Sequence, residues 1–117
     1  MHHDLLVWQV GMDLVSEVYA LSAQFPKEEI YGLTAQLRRA AVSVPSNIAE
    51  GAARTTQKEF LYYLSVARGS LSELETQLFI AQRLKYCTEL DLIMEQVNRI
   101  FGLLGGLINS LRKECVK

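Results

Sequence analysis

The sequence predicts an all-α fold: a single domain over residues 1–117, built as an antiparallel up-down-up-down four-helix bundle with a proline-kinked second helix. Apolar residues recur every three or four positions along four stretches, which is the spacing that lines one face of a helix. Only short breaks separate these stretches, and short connections favour antiparallel neighbours in a bundle. No strand-like alternation competes with this interpretation.

Length and composition bound the class of protein. A chain of 117 residues with 50% hydrophobic residues can bury about two-thirds of its unfolded surface, and such a composition excludes intrinsic disorder. No apolar run reaches the roughly 18 residues of a membrane span, and the N-terminus lacks the pattern of an export signal. Cys87 and Cys115 are too few for a disulfide framework or a zinc site. We therefore expect a cytoplasmic protein without a membrane partner.

The first helix is predicted from about Leu5 to Ala23, and Pro26 disfavours its continuation. Two apolar stripes run along it. The one predicted to face the core comprises Leu5, Trp8, Met12, Val15 and Tyr19. The other, which widens the apolar arc, includes Leu14, Val18 and Leu21.

The second stretch, Lys27 to Arg54, contains residues that a helix does not favour. Its apolar positions keep helical spacing, yet Pro45 removes a backbone donor and crowds the preceding turn, at a usual cost of about 3 kcal/mol. Ser43 and Asn47 flank the proline, and their side chains compete for backbone hydrogen bonds. We expect a kink or a break here, and a role in shape or contact, because a helix used only for packing could carry Ala or Leu.

The third and fourth helices carry clean 3.5-residue repeats. The third is predicted to be capped by Thr55 or Thr56, with Glu59 three residues after Thr56 in a capping-box pattern, and to end near Lys85. The fourth is predicted to be capped by Thr88. The predicted core of the third helix is Phe60, Leu64, Ala67, Leu71, Leu74, Leu78 and Ala81. That of the fourth is Leu90, Ile93, Val97, Ile100, Leu104, Leu107 and Leu111.

Further apolar residues and glycines favour homo-oligomerisation over a well-filled monomer. Additional apolar positions on the first and fourth helices, such as Leu6 and Leu92, require either a wide core or a partner surface. Gly102, Gly105 and Gly106 each weaken a helix by about 1 kcal/mol and suit the close approach of another backbone.

Catalysis is poorly supported. The chain has no histidine beyond position 3, so the usual general base and the Glu-x-x-His pairs of di-iron bundles are missing. Glu73 and Glu75 lie two residues apart and face different directions on a helix. We predict no catalytic residues, no metal ligands and no cofactor, and no small-molecule substrate is identified.

Charge is unevenly distributed. Residues 1–29 hold one lysine against five carboxylates, a net of −4, whereas residues 30–88 hold seven basic and four acidic groups, a net of +3. A basic middle is compatible with nucleic-acid contact and also with scattered solubilising charge. The predicted phosphate-binding patch is Arg38, Arg39, Arg54, Lys58 and Arg68.

Three interpretations remain open for the polar face that Arg39, Ser43, Asn47, Glu50 and Arg54 form at helical spacing. It is a solvated face, part of the phosphate-binding patch, or a hydrogen-bonded network between helices or subunits. In the network, Arg39 or Arg54 pairs with Glu50 or Glu73. Likewise, Gly69 and Ser70 are tolerated small residues or mark a close helix crossing.

The segments YGLTAQLRRAAVSVPSNIAEG and GSLSELETQL resemble the four-helix-bundle family of 23S rRNA intervening-sequence proteins, and the likeness covers residues 5 to about 86. The family is similar to the accessory protein of diversity-generating retroelements. The resemblance implies an up-down bundle assembled as a pentameric ring, with basic surfaces that bind nucleic acid. It also implies helix or subunit contact for Ser43, Pro45, Asn47, Glu50, Gly51, Gly69, Ser70 and Glu73.

Two functions are therefore expected. The first is a non-enzymatic homo-oligomer, expected to be a pentamer, that binds RNA or a ribonucleoprotein through a repeated basic patch. The alternative is a protein–protein interaction scaffold without significant nucleic-acid binding.

Overall fold

The structure, a computed structural model, describes residues 1–116, and the side chains of residues 1–114. It contains four α-helices: α1 (Leu6–Ser22), α2 (Leu33–Ala52), α3 (Gln57–Arg83) and α4 (Asp91–Val116). Short 3₁₀ turns cover His2–Asp4 and Lys27–Glu29. None of the described residues lies in a strand, so the predicted all-α class is confirmed over this part of the chain. The Cys115 side chain lies outside the described residues.

The helices surround one core. Each packs against the next along the chain, α1 also packs against α4, and the α2–α3 contact is the most extensive. In the described part of the chain, no Cα atoms of the diagonal pairs α1–α3 and α2–α4 lie within 8 Å of each other. The resulting body is an elongated rod of 50 × 24 × 20 Å. None of the described helices is both long and apolar enough to cross a membrane.

The heptad repeats of α3 and α4 predict the core well. In α3 every predicted core residue is buried except Phe60, which is half-buried. In α4 the prediction holds through Leu104, after which Ile108 is buried while Leu107 and Leu111 are half-buried. A nearly straight helix drifts by about 20° per heptad from a 3.5-residue repeat, so the inward-facing position moves by one residue near the end.

The core-facing stripe predicted for α1 is wrong. The buried apolar residues are Val7, Val10, Leu14 and Val18, whereas Met12 and Tyr19 are exposed. In this rotation Gly11 faces Pro45 of α2. A β-carbon at Gly11 would lie 3.6 Å from the Pro45 Cβ, so the two helices are in van der Waals contact there.

Helix α2 begins at Leu33 rather than at the predicted Lys27. The Glu29 carboxylate accepts hydrogen bonds from the Leu33 backbone N–H (N···O 3.1 Å) and from the Tyr86 hydroxyl (O···O 2.7 Å). These bonds join the two loops at this end of the bundle. These two hydrogen bonds lower the pKa of Glu29, the Leu33 bond having the larger effect. A β-carbon at Gly32 would lie 2.6 Å from Glu29 Oε1, which explains the glycine. Helix α2 then continues through Pro45 to Ala52, so the helix is not broken at the proline.

The capping predictions have mixed outcomes. The Thr56 cap of α3 is confirmed, because Thr56 Oγ1 accepts the Glu59 N–H at 3.1 Å. The Glu59 carboxylate accepts the Thr56 hydroxyl rather than the Thr56 backbone N–H of a full capping box. The Thr88 cap is wrong: α4 begins at Asp91, whose N–H bonds to the Glu89 carboxylate at 3.1 Å. Helix α3 ends at Arg83, and Lys85 then takes a left-handed conformation with φ of 65°.

Candidate functional site

Polar side chains beside Pro45 bond to one another and to α3. The Asn47 amide donates to the Ser43 carbonyl oxygen (2.8 Å) and to Ser43 Oγ (2.9 Å). Ser43 Oγ in turn hydrogen-bonds to Ser70 Oγ of α3 at 2.8 Å. Of the interpretations left open for this face, the structure thus places Ser43 and Asn47 in a network between two helices.

Two of the predicted contact glycines have opposite surroundings. A β-carbon at Gly51 would lie 2.8 Å from Tyr63 Cβ and 2.9 Å from Phe60 Cδ1, so α2 and α3 approach closely there. A β-carbon at Gly69 would meet nothing within 4 Å, and the same holds for Gly102, Gly105 and Gly106. The close crossing within the protomer is therefore at Gly51, and the side of α3 at Gly69 is open.

Arg38 connects α2 to the end of α1. Its Nε donates to Ser22 Oγ at 2.8 Å, and its guanidinium lies 4.5 Å from the centroid of the Tyr19 ring. Ser22 is buried, although its sequence context gave no sign of this role. The Arg38 guanidinium, which was predicted to bind phosphate, is thus already engaged by other residues of the chain.

Arg54 is also engaged within the protomer. It forms an ion pair with Glu50 at 3.3 Å, which is one of the pairings left open by the sequence. It also donates to the Tyr63 hydroxyl at 2.8 Å and lies over the Tyr63 ring. These contacts join the end of α2 to the first turns of α3, beside Gly51.

Three cations of the predicted patch keep their guanidinium or ammonium groups without a partner in the described residues: Arg39, Lys58 and Arg68. Arg39 lines the groove between α2 and α3 that Glu73 also lines, yet the two do not form an ion pair there. At 3.6 residues per turn, Arg68 points roughly 160° away from Ser70 on α3. The free cations are therefore spread around this pair of helices.

The chemistry available at the site is that of polar and charged side chains. No group of three or more potential metal ligands occurs among the described residues. Burial raises the pKa of the Cys87 thiol, which disfavours the reactive thiolate. What the site offers is hydrogen-bond donors, free cations and a rigid helical support.

Comparison with known protein families identifies the family to which the chain is related. The family model of 23S rRNA-intervening sequence proteins matches residues 3–106. The chain belongs to this family. The match covers α1, α2, α3 and the first part of α4, and so includes every residue of the candidate site. No curated protein matches the chain.

Several large apolar side chains of this family member are exposed to solvent. On the α1–α2 side these are Met12, Tyr19 and Val42, each 40–44% exposed, beside half-buried Trp8. On α3 they are Tyr62, Phe79 and Ile80, and Leu84 follows the end of that helix. Part of the apolar surplus noted in the sequence, including Leu14 and Val18, is instead buried in the core. Leu6 and Leu92 remain exposed.

The two glycine environments give a direct test of the α2–α3 approach. Gly51→Ala is expected to destabilise the protein by about 1–3 kcal/mol in urea unfolding, because the new methyl group overlaps Tyr63 and Phe60. Gly69→Ala is the matched control. It lies within α3 with open space around it and should stabilise the helix by up to about 1 kcal/mol. Equal effects of the two substitutions would contradict the close approach.

Proposed function

We propose that this protein is a non-enzymatic homo-oligomer of up-down-up-down four-helix protomers that binds RNA or a ribonucleoprotein through a repeated set of cations. The observation that carries the proposal is the membership of the 23S rRNA-intervening sequence protein family, together with the three free cations on α2 and α3. Five is the subunit number that the resemblance to pentameric relatives implies.

The antiparallel order and a bend of α2 at Pro45 are part of the proposal. Contacts at opposite ends of adjacent helices support the order. Arg38, early in α2, bonds to Ser22 at the end of α1, whereas Pro45, later in α2, packs against Gly11. Gln57 at the start of α3 bonds to Glu114 near the end of α4. The missing N–H of Pro45 supports a bend, since it removes one bond of the helical ladder.

A second copy of the chain is the occupant that we assign to the exposed apolar surface on α1 and α2. The segment that contains α1 carries a net charge of −4 and the segment from residue 30 to 88 a net of +3, so unlike surfaces of neighbouring copies attract. A head-to-tail contact of this kind closes into a ring when its rotation allows. A ring repeats each free cation, so that weak phosphate contacts reinforce one another.

The alternative function, a protein–protein interaction scaffold, is favoured by one observation. Phe79, Ile80 and Leu84 are 43–50% exposed together at the end of α3, away from the proposed phosphate contacts. An apolar group of this kind is typical of a protein-binding surface. RNA binding by the purified protein separates the two functions.

Removal of cations should weaken RNA binding selectively. We expect the double variant Lys58→Glu/Arg68→Glu to lose at least about ten-fold in affinity for a structured RNA, measured by fluorescence anisotropy. The slope of log K against log salt should fall by about 2 for each protomer in contact, because each lost phosphate contact removes about one unit. Arg38 and Arg54 are left intact because they hold helices together.

The matched control is Lys27→Glu/Arg99→Glu, which makes the same charge change at exposed positions on the turn before α2 and on the side of α4 that faces α1. It should retain most of the affinity. An equal loss in both variants would contradict the assigned contacts. Wild-type binding weaker than about 10⁻⁴ M at physiological salt would overturn the RNA function and leave the scaffold.

Charge on the exposed α1 surface should disrupt the oligomer. We expect the wild-type protein, with chains of 13.2 kDa, to sediment at micromolar concentration as a species of five chains. Met12→Lys places a charge in the apolar contact and should shift the distribution towards smaller species. Ala20→Lys is also exposed on α1 but points away from α2, and it should leave the oligomer intact. A single-chain wild-type species, or equal behaviour of both variants, would contradict the proposed interface.

A further inference from the structure

A groove between α2 and α3 is lined mostly by polar side chains, of which only Arg39 belongs to the predicted phosphate-binding patch. Its volume is about 430 Å³, within the range of roughly 300–1,000 Å³ that is typical of small-ligand sites. The polar residues that line it are Gln36, Arg39, Ser43, Ser70, Glu73 and Gln77. At Gly51 the same two helices approach closely, so the groove opens at a different point of the α2–α3 contact.

Gln77 is the first sign that the groove is built for a ligand. The residue is only 7% exposed, and its side-chain oxygen is buried without a hydrogen-bond partner among the described residues. Buried polar groups in folded proteins are nearly always paired. No hydrogen bond within the protomer fixes which end of this amide faces the groove, so a ligand is free to select its oxygen or its nitrogen.

The serine pair provides a second group with spare capacity. Two hydroxyls carry two hydrogens, and the Ser43–Ser70 hydrogen bond of 2.8 Å uses one of them. Asn47 donates to Ser43 and so consumes no hydroxyl hydrogen. One hydroxyl hydrogen of the pair is therefore left to donate at the wall of the groove.

The charges define the chemistry of the ligand. Arg39 and Glu73 line the same groove without forming an ion pair, so each retains its hydrogen-bonding capacity. A phosphate group alone would be repelled by Glu73, and a simple cation would be repelled by Arg39. A ligand that satisfies both residues must donate hydrogen bonds to Glu73 through one set of atoms and accept hydrogen bonds from Arg39 through a neighbouring set.

We propose that the groove binds the base of an unpaired guanosine in RNA, an inference that rests on the proposed function and extends it. Guanine places two adjacent donors, N1–H and the N2 amino group, where one carboxylate accepts both, and Glu73 takes this role. Its O6 and N7 atoms are neighbouring acceptors, and arginine is their commonest bidentate donor. Arg39 takes that role, with Gln77 and the serine hydroxyl beside it.

The other bases fit this donor and acceptor set less well. Adenine presents a bare N1 acceptor to the carboxylate, and uracil offers a single N–H between two carbonyl groups. RNA-binding proteins read unpaired bases along these same edges, often with an arginine plane for stacking. Glu73 is thus the residue that determines base specificity, whereas Lys58 and Arg68 supply affinity that is independent of sequence.

The test compares nucleotides that share the same phosphate. Intact protein is titrated with 5′-GMP, 5′-IMP and 5′-AMP, and binding is followed through the NMR signals of the Gln77 side-chain amide. We expect GMP to bind at least about ten-fold more tightly than AMP. IMP lacks the N2 amino group and should fall between them.

Two variants assign the effect to the groove. Glu73→Gln replaces the acceptor by an amide of the same shape and should abolish the preference for GMP. Glu75→Gln, on the same helix but outside the groove lining, should keep it. Absence of a GMP preference in the wild-type protein, or its survival in Glu73→Gln, would overturn the proposal.

Failure of the groove proposal can be distinguished from failure of the proposed RNA function. If Lys58→Glu/Arg68→Glu abolishes binding of RNA but guanine-rich and adenine-rich single strands bind the wild type equally, the groove proposal falls and the RNA function stands. If GMP is selected but RNA does not bind, the RNA function falls, and with it the RNA source of the ligand, while the groove remains a site for a guanine nucleotide. The Gln77 amide signals could also change with protein concentration and with no nucleotide. That result would show that a second copy of the chain occupies the groove, and it would overturn the proposal.

Discussion

The contact between Gly11 of α1 and Pro45 of α2 is the constraint on which most of this structure depends. A proline in the interior of a helix lacks the N–H that would bond to the preceding turn, which disfavours it by about 3 kcal/mol. Here the ring is buried against a residue without a side chain, and a β-carbon at position 11 would already touch it at 3.6 Å. The two helices are therefore in direct contact at this point, with the Gly11 side of α1 turned towards α2.

Both polar and apolar surfaces follow from that rotation. With Gly11 facing α2, Leu14 and Val18 point into the core and Met12 and Tyr19 remain outside, where we place the neighbouring subunit. On α2, Ser43 lies two residues before the proline and therefore on the other flank of the helix, where it meets Ser70 of α3. One packing contact thus separates the side on which we propose a neighbouring subunit from the side on which we propose a ligand.

The sequence predicted those features that depend on local pattern. The all-α class, the family, the Thr56 cap and the core of α3 follow from spacing or from motif. The rotation of α1 could not be predicted, because its two apolar stripes are equally periodic and only the partner at Pro45 distinguishes them. The same holds for the site: sequence placed Arg38, Arg54 and Arg39 in one patch, whereas tertiary contacts with Ser22 and Tyr63 engage the first two and leave the third free.

The orientation of α1 is tested most directly by nuclear Overhauser effects in selectively labelled protein. The account predicts cross-peaks between the α-protons of Gly11 and the ring protons of Pro45, together with cross-peaks from the Leu14 methyl groups to core leucines. Cross-peaks from the Met12 methyl group to core leucines such as Leu71, without any between Gly11 and Pro45, would contradict it.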